Sequence, residues 1–233
     1  SNMAIPILYD ILNRQADVLA ERFYAPWVDM EAALRQNNIP LFSLESQRPL
    51  KDFEIIGFSL GYELCYTTVP NMLAMAGLPL PSSERNDFHP LIIAGGSCAL
   101  NPEPMSDFID AFVIGDGEEV ILEFLNAYRE VKGRGKKQVL KKLAAIPGIY
   151  VPSLYEVKYD SSGLITSITP TVPEAKPRIQ RRMVDRLPPP VVRPVPEPVA
   201  VAPSPPAAAP VPEPAPPRVD QANENQLLAT YGQ

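Results

Sequence analysis

Three short loops carry the residue types best suited to contact a ligand. They contain Ser59 with Gly61, the pair Gly95–Gly96, and the run Gly115–Glu118. Glycine permits a positive φ and, because it has no Cβ, lets a ligand approach the backbone. Free amides at the start of a helix after the third run would attract an anion, although acidic residues already place negative charge there. The predicted binding residues are Ser59, Leu60, Gly61, Gly95, Gly96, Gly115, Asp116, Gly117 and Glu118.

The reactive side chains of the sequence do not form a catalytic set. A dyad of Cys98 and His89 has no orienting partner, and Glu118 and Glu119 are neighbours that point in different directions on a helix. We interpret His89 as an exposed loop histidine, Cys65 as a small core residue and Cys98 as a free loop thiol. The third run also suits a simple tight turn with acidic caps, and no loop matches the Walker or GxGxxG pattern. The sequence therefore predicts no catalytic residue and no metal site.

Helical and strand patterns alternate along the chain and must position these loops. Helices are predicted at Ile5–Arg14, Val28–Gln36, about Glu63–Ala76 with a kink at Pro70, Glu118–Val131 and Lys136–Ala145. Strands are predicted at Glu21–Ala25, Phe53–Leu60, Leu91–Ala94 and Ala111–Ile114, followed by a hairpin of Tyr155–Tyr159 with Leu164–Thr169. Continuous apolar strands are typical of a parallel sheet covered on both faces. We therefore predict an α/β domain with a mostly parallel sheet and a C-terminal hairpin, with ligands bound at the carboxyl ends of the strands.

Proline content divides the chain into two parts. Of the 29 prolines in 233 residues, fourteen lie in Pro188–Pro217, where all but four positions are Pro, Val or Ala. Proline removes backbone donors, and thirty such residues extend roughly 90 Å as polyproline II. We predict a folded domain at residues 3–187 and a disordered tail at residues 188–233 that serves as a spacer. A ligand for a proline-recognising groove is the alternative for the tail.

Charge and composition exclude several classes of function. With 21 Lys and Arg against 27 Asp and Glu, the net charge is −6, which argues against nucleic acid as the main partner. The one basic run, Lys132–Lys142, is better interpreted as a solvated helix start. No apolar stretch is long enough for a membrane span, and no secretory signal is evident. Two cysteines are too few for a disulfide framework, so a reducing compartment, the cytoplasm, is expected.

The order of the motifs resembles a known family over most of the predicted domain. A strand ending in Phe58–Leu60 is followed by a strand ending in Gly95–Gly96, then by Pro102–Glu103 and by a strand ending in Gly115–Glu118. Longer stretches such as GFSLGYEL, IIAGGSCALNPEP and FVIGDGEE carry the same likeness. The chain from about residue 7 to residue 185 resembles the N-terminal, cobalamin-binding-like domain of cobalamin-binding-type radical SAM proteins.

The resemblance implies a fold, a cofactor and a partner. The fold would be a flavodoxin-like, Rossmann-like three-layer sandwich. The cobalamin nucleotide tail would pass near Ser59, whose hydroxyl would face it, and near Gly95–Gly96, which would leave space for it, with Gly115–Glu118 on the same edge. Relatives have a further strand before the first helix, so the first strand of the sheet is expected to be missing or supplied by a second copy of the chain.

Two departures from the family pattern shape the expected function. The Asp-x-His-x-x-Gly motif, whose histidine ligates cobalt, is absent, and so is the Cys-x-x-x-Cys-x-x-Cys motif for a [4Fe–4S] cluster and SAM. We expect a module, non-catalytic by itself, that presents a corrinoid to a separate radical SAM barrel. The alternative is an interaction or substrate-positioning module that has lost cobalamin.

Overall fold

The computed structural model describes residues 4–185. Five α-helices lie in this range: α1 Ala4–Asn13, α2 Val28–Gln36, α3 Thr68–Met75, α4 Gly117–Val131 and α5 Lys136–Ala144. The six strands are β1 Ile55–Ser59, β2 Leu91–Gly95, β3 Ala111–Val113, β4 Ile149–Tyr150, β5 Tyr155–Tyr159 and β6 Ile165–Pro170. The predicted proline-rich tail and the domain boundary at residue 187 lie outside the described residues.

The strands form one four-stranded sheet and one separate hairpin. The sheet order is β1-β2-β3-β4, with the first three strands parallel and β4 antiparallel, while β5 and β6 pair as an antiparallel hairpin. Pairing is continuous from β1 to β4, so the sheet has no gap for the expected missing strand between these four. A further strand would have to join the sheet outside β1 or outside β4.

Helices cover both faces of the sheet. Successive residues of a strand point to opposite faces, and Ile92 accordingly lies in one core with Met72 and Leu73 of α3. Ile93 lies in the other core, with Phe124 of α4 and Leu143 of α5. Both faces of β2 are therefore buried, which explains its uninterrupted apolar sequence. The α/β prediction, with a mostly parallel sheet and an added hairpin, is confirmed.

One local prediction was wrong and one was correct only in part. Residues 21–25 do not form a strand. The Leu44 amide donates to the Arg22 carbonyl, but the Arg22 amide donates to the Glu45 carboxylate at 2.7 Å, and the Phe23 ring meets Phe58 edge-on. The predicted helix at 63–76 is divided into a 3₁₀ turn and α3. Pro70 is the third residue of α3, where its missing N–H has no intrahelical partner, so it helps to start the helix.

Among the described residues, no helix is long and apolar enough to cross a bilayer.

Candidate functional site

The ends of three parallel strands bring the predicted loops to one edge of the sheet, here called the carboxyl edge. Ser59 and Gly95 are register partners in adjacent strands. A Cβ built on Gly95 would lie 3.6 Å from the Cβ of Val113, at the end of β3. Residues that follow Ser59, Gly95 and Val113 therefore emerge side by side.

In the part of this edge formed by the first two strands, the β1–β2 half, two loops pack on each other. The Leu60 amide donates to the Gly95 carbonyl at 2.7 Å, and the Cys98 amide donates to the Leu60 carbonyl at 3.0 Å. The Ser97 hydroxyl donates to the Gly61 carbonyl at 3.2 Å. Because Gly96 has a φ of 101° and a Cβ there would lie 2.6 Å from the Leu60 carbonyl oxygen, the space that this glycine leaves holds backbone.

In the part formed by the end of β3, the β3 half, a segment from later in the chain covers the loop. This C-terminal segment, residues 179–184, pairs with the loop because the Arg182 amide donates to Ile114 and the Asp116 amide donates to Arg182. A Cβ on Gly115, whose φ is 111°, would overlap the Arg182 backbone.

The start of α4 is closed by the same segment and by α1. The Asp116 carboxylate accepts the Val184 amide at 2.9 Å instead of capping its own helix. A Cβ on Gly117 would lie 3.5 Å from Leu8 of α1. Glu118 lies half-buried in the first turn of α4. The sequence analysis predicted that the start of α4 could attract an anion. In the structure this helix start is covered by the C-terminal segment and by α1.

The open surface of the carboxyl edge lies on the loops of the β1–β2 half. No atom lies within 4 Å of a Cβ built on Gly61, whereas the Leu60 side chain is buried in the core. Three apolar side chains of these loops are 52–83% exposed; they are Tyr62, Leu64 and Leu100, called the loop patch below. The sequence analysis missed them, although apolar residues beside a loop glycine are a signal that could have found them.

The reactive side chains lie apart from one another. Cys98 is a free thiol in the loop after β2, as predicted, and it is buried. Burial raises the pKa of this thiol, with a further contribution from Glu63. Cys65 is half-buried, not a core residue. His89 precedes β2 and lies at the opposite edge of the sheet. It is half-buried, with Nδ1 accepting the Asn86 amide at 3.1 Å, so it forms no dyad with Cys98.

Glu103 of the Pro-Glu motif connects the loop after β2 to β4. It accepts the Tyr150 hydroxyl at 2.6 Å. Burial, followed by this hydrogen bond and the Glu103 charge, raises the pKa of Tyr150 far above its usual value. The motif therefore joins the loop after β2 to β4 by a side-chain hydrogen bond. In the part of the chain that the structure describes, no three His, Cys, Asp or Glu side chains are arranged to hold a metal ion.

Comparison with protein families places the chain in a known family. A family model described as radical SAM proteins, N-terminal, matches residues 4–152, which is more than half of the chain. No curated protein and no solved structure matches significantly.

Proposed function

The chain belongs to the family of radical SAM N-terminal regions, and from this premise we propose that it presents a corrinoid to a radical SAM catalytic part. The observation that carries the proposal is the convergence of the β1 and β2 ends, where Ser59 lies opposite Gly95. In open α/β sheets, ligands bind outside the carboxyl ends of the strands. The proposed ligand is cobalamin.

The two halves of the carboxyl edge fit such a group differently. A corrinoid is large and flat with an extensive apolar face, and the open space at Gly61 beside the loop patch suits it. The β3 half does not, because Arg182 and Leu8 fill the space at its glycines. We therefore assign the contact to Ser59, Gly61, Gly95 and the loop patch.

The proposed chemistry divides between the cofactor and this chain. When bound, a corrinoid supplies a cobalt centre for radical or alkyl chemistry. The residues of the β1–β2 half hold and orient the ring by apolar contact and exclude water from its covered face. The single histidine of the chain, His89, lies at the opposite edge, so this chain brings no imidazole to the corrinoid.

A second function is favoured by a different observation. The spaces at Gly96 and Gly115 hold the backbone of the chain itself, which is expected of a module that keeps the fold without a cofactor. In that case the loop patch contacts a protein partner or positions a substrate.

Retention of hydroxocobalamin separates the two functions. The chain is incubated with excess hydroxocobalamin and desalted, and its visible spectrum is recorded. We expect a corrinoid spectrum that stays with the protein and falls at least tenfold in Gly61→Trp, because an indole at this position would take up the open space proposed for the ligand. A Cβ at Gly61 meets no atom within 4 Å, so the backbone there need not move to accept a side chain. Leu19→Trp, at another exposed apolar position, is the matched control and should retain the ligand.

Two results would contradict the corrinoid proposal. A colourless wild-type protein favours the second function. Equal retention in Gly61→Trp and Leu19→Trp places the ligand outside the β1–β2 half.

A further inference from the structure

A four-residue turn before β2, residues 86–89, contains the single histidine of the chain. The His89 amide donates to the Asn86 carbonyl at 3.1 Å, and the Asn86 amide donates to His89 Nδ1 at 3.1 Å. The Phe88 amide donates to the side-chain oxygen of Asn86 at 3.0 Å. Because a backbone N–H can only donate, Nδ1 carries no proton in this arrangement and the imidazole is neutral. The conformation of the turn therefore depends on the charge of His89.

The same turn holds Asp87 at the start of α5. The Asp87 carboxylate accepts the Lys136 amide at 2.6 Å, and one of its oxygens would lie 3.2 Å from a Cβ built on Gly135, the residue before the helix. The first turn of α5 contains Lys136 and Lys137 and no acidic residue. Positive side chains are unfavourable at the amino end of a helix, whereas a carboxylate is favourable there. Asp87 therefore supplies the acceptor and the negative charge that this helix end lacks.

His89 shares a cleft, here called the amino-edge cleft, with charged groups from several elements. The ionisable side chains that line it come from the segment before β1, the turn, α4 and α5; they are Glu54, Asp87, His89, Tyr128 and Lys136. Glu54 also pairs with Lys132, and the Lys136 ammonium pairs with the buried Asp110 at 2.8 Å. The charges of Glu54 and Lys136 are thus compensated by partners of opposite sign, whereas Asp87 is bonded to a neutral amide.

We propose that protonation of His89 draws Asp87 away from the start of α5 and loosens this end of the helix in mildly acidic solution. Histidine is the residue type that ordinarily changes charge between pH 5 and 8. When a proton from solvent binds Nδ1, the Asn86 amide loses its acceptor and both ring nitrogens become donors. The imidazolium competes with the Lys136 amide for Asp87, because the attraction of opposite charges is added to the hydrogen bond.

The direction of the pH effect follows from the form of the imidazole that each arrangement needs. The bond from the Asn86 amide and the Asp87 cap of α5 require neutral His89, so they are complete at neutral and alkaline pH and are lost as the pH falls. The turn precedes β2 and lies at the edge of the sheet opposite the proposed corrinoid site. The inference therefore does not depend on the proposed function.

Amide hydrogen exchange at two pH values tests the proposal on the whole chain. The protection factors of the Lys136 and Val139 amides, which correct for the pH dependence of the intrinsic rate, are compared at pH 7.5 and pH 5.5. Local opening of a helix end lowers these factors. We expect them to be at least fivefold lower at pH 5.5. The Phe124 amide, inside α4, is the internal control and should be equally protected at both pH values.

Two variants assign the effect to particular groups. In His89→Asn, the side-chain oxygen is attached to the same carbon as Nδ1 and accepts a hydrogen bond, but the amide does not titrate. Protection of the Lys136 amide should then be the same at both pH values and close to that of the wild type at pH 7.5. Glu54→Gln is the matched control, because it removes the other carboxylate of the cleft and leaves Asp87 in place. It should keep the pH dependence.

Three results would overturn the proposal. The first is equal protection of the Lys136 amide at the two pH values in the wild type. The second is a pH dependence that persists in His89→Asn, since another group would then be responsible. The third comes from NMR of the wild type, which needs no variant to fold. One histidine gives one set of imidazole signals, and a titration midpoint that differs from that of the Asn86 amide signal, or no titration of the ring, would show that the two are not coupled.

Discussion

Each half of the carboxyl edge contains a glycine whose missing Cβ lets another segment pack closely, but only one half is covered as a result. In the β1–β2 half, Gly96 admits the backbone of the neighbouring loop, and the outer surface of both loops stays open. In the β3 half, Gly115 admits Arg182, and the C-terminal segment closes the surface. The surface of one half stays open, whereas the other half is covered by a segment of the same domain.

The comparison shows that a glycine at a strand end is not by itself a sign of a ligand. A missing Cβ creates space, and that space is filled by whatever packs most favourably there. Gly61 differs from Gly96 and Gly115 in having no atom within 4 Å of its Cβ position. It also lacks a positive φ, so its conformation does not require glycine.

The largest expected effect is from Gly115→Ala. The new Cβ would overlap the Arg182 backbone, and the φ of 111° is unfavourable for alanine. We expect a loss of about 2–4 kcal/mol in the free energy of unfolding, measured in urea. Gly61→Ala, at the open position, should change it by less than about 0.5 kcal/mol. Equal losses in the two variants would remove the distinction between the halves.

The next largest effect is a loss of stability at alkaline pH. It arises from the Tyr150–Glu103 hydrogen bond, which joins β4 to the loop after β2. The bond and burial favour the neutral phenol, so the pKa of Tyr150 is higher in the folded state than its unfolded value of about 10. The stabilisation is complete below pH 10 and is lost as pH rises above it, at up to about 1.4 kcal/mol per pH unit. Tyr150→Phe should reduce the slope of unfolding free energy against pH in this range by that amount. Tyr24→Phe, which removes an exposed phenol, is the control. An unchanged slope in Tyr150→Phe would contradict the proposed coupling.

The smallest effect is expected from Arg182→Ala. Its guanidinium pairs with the half-exposed Glu123, and such pairs contribute about 0.2–1 kcal/mol. The backbone bonds of residue 182 to Ile114 and Asp116 would remain. Urea unfolding should therefore show a loss below about 1 kcal/mol that shrinks in high salt. Arg181→Ala, an exposed neighbour, should show none. A loss as large as that of Gly115→Ala would mean that the side chain, and not the backbone, holds the segment.

Local patterns in the sequence predicted most of the elements. The apolar run of β2 was sufficient to predict a strand, because a strand buried on both faces is apolar at every position. The spacing of apolar residues in α4 and α5 was sufficient to predict helices, because each helix buries one face. The pattern failed at residues 21–25, where the aromatic run resembles a strand. There the deciding contacts, Arg22 with Glu45 and Phe23 with Phe58, join distant positions.

The sequence by itself determined the α/β class, the hairpin and the gathering of three loops at one edge, since each follows from residue spacing and from the direction of parallel strands. Only the tertiary structure decided which of those loops stays open. The closing contact between Asp116 and Val184 joins residues 68 positions apart. It leaves no local pattern, because packing between distant segments depends on their arrangement in space.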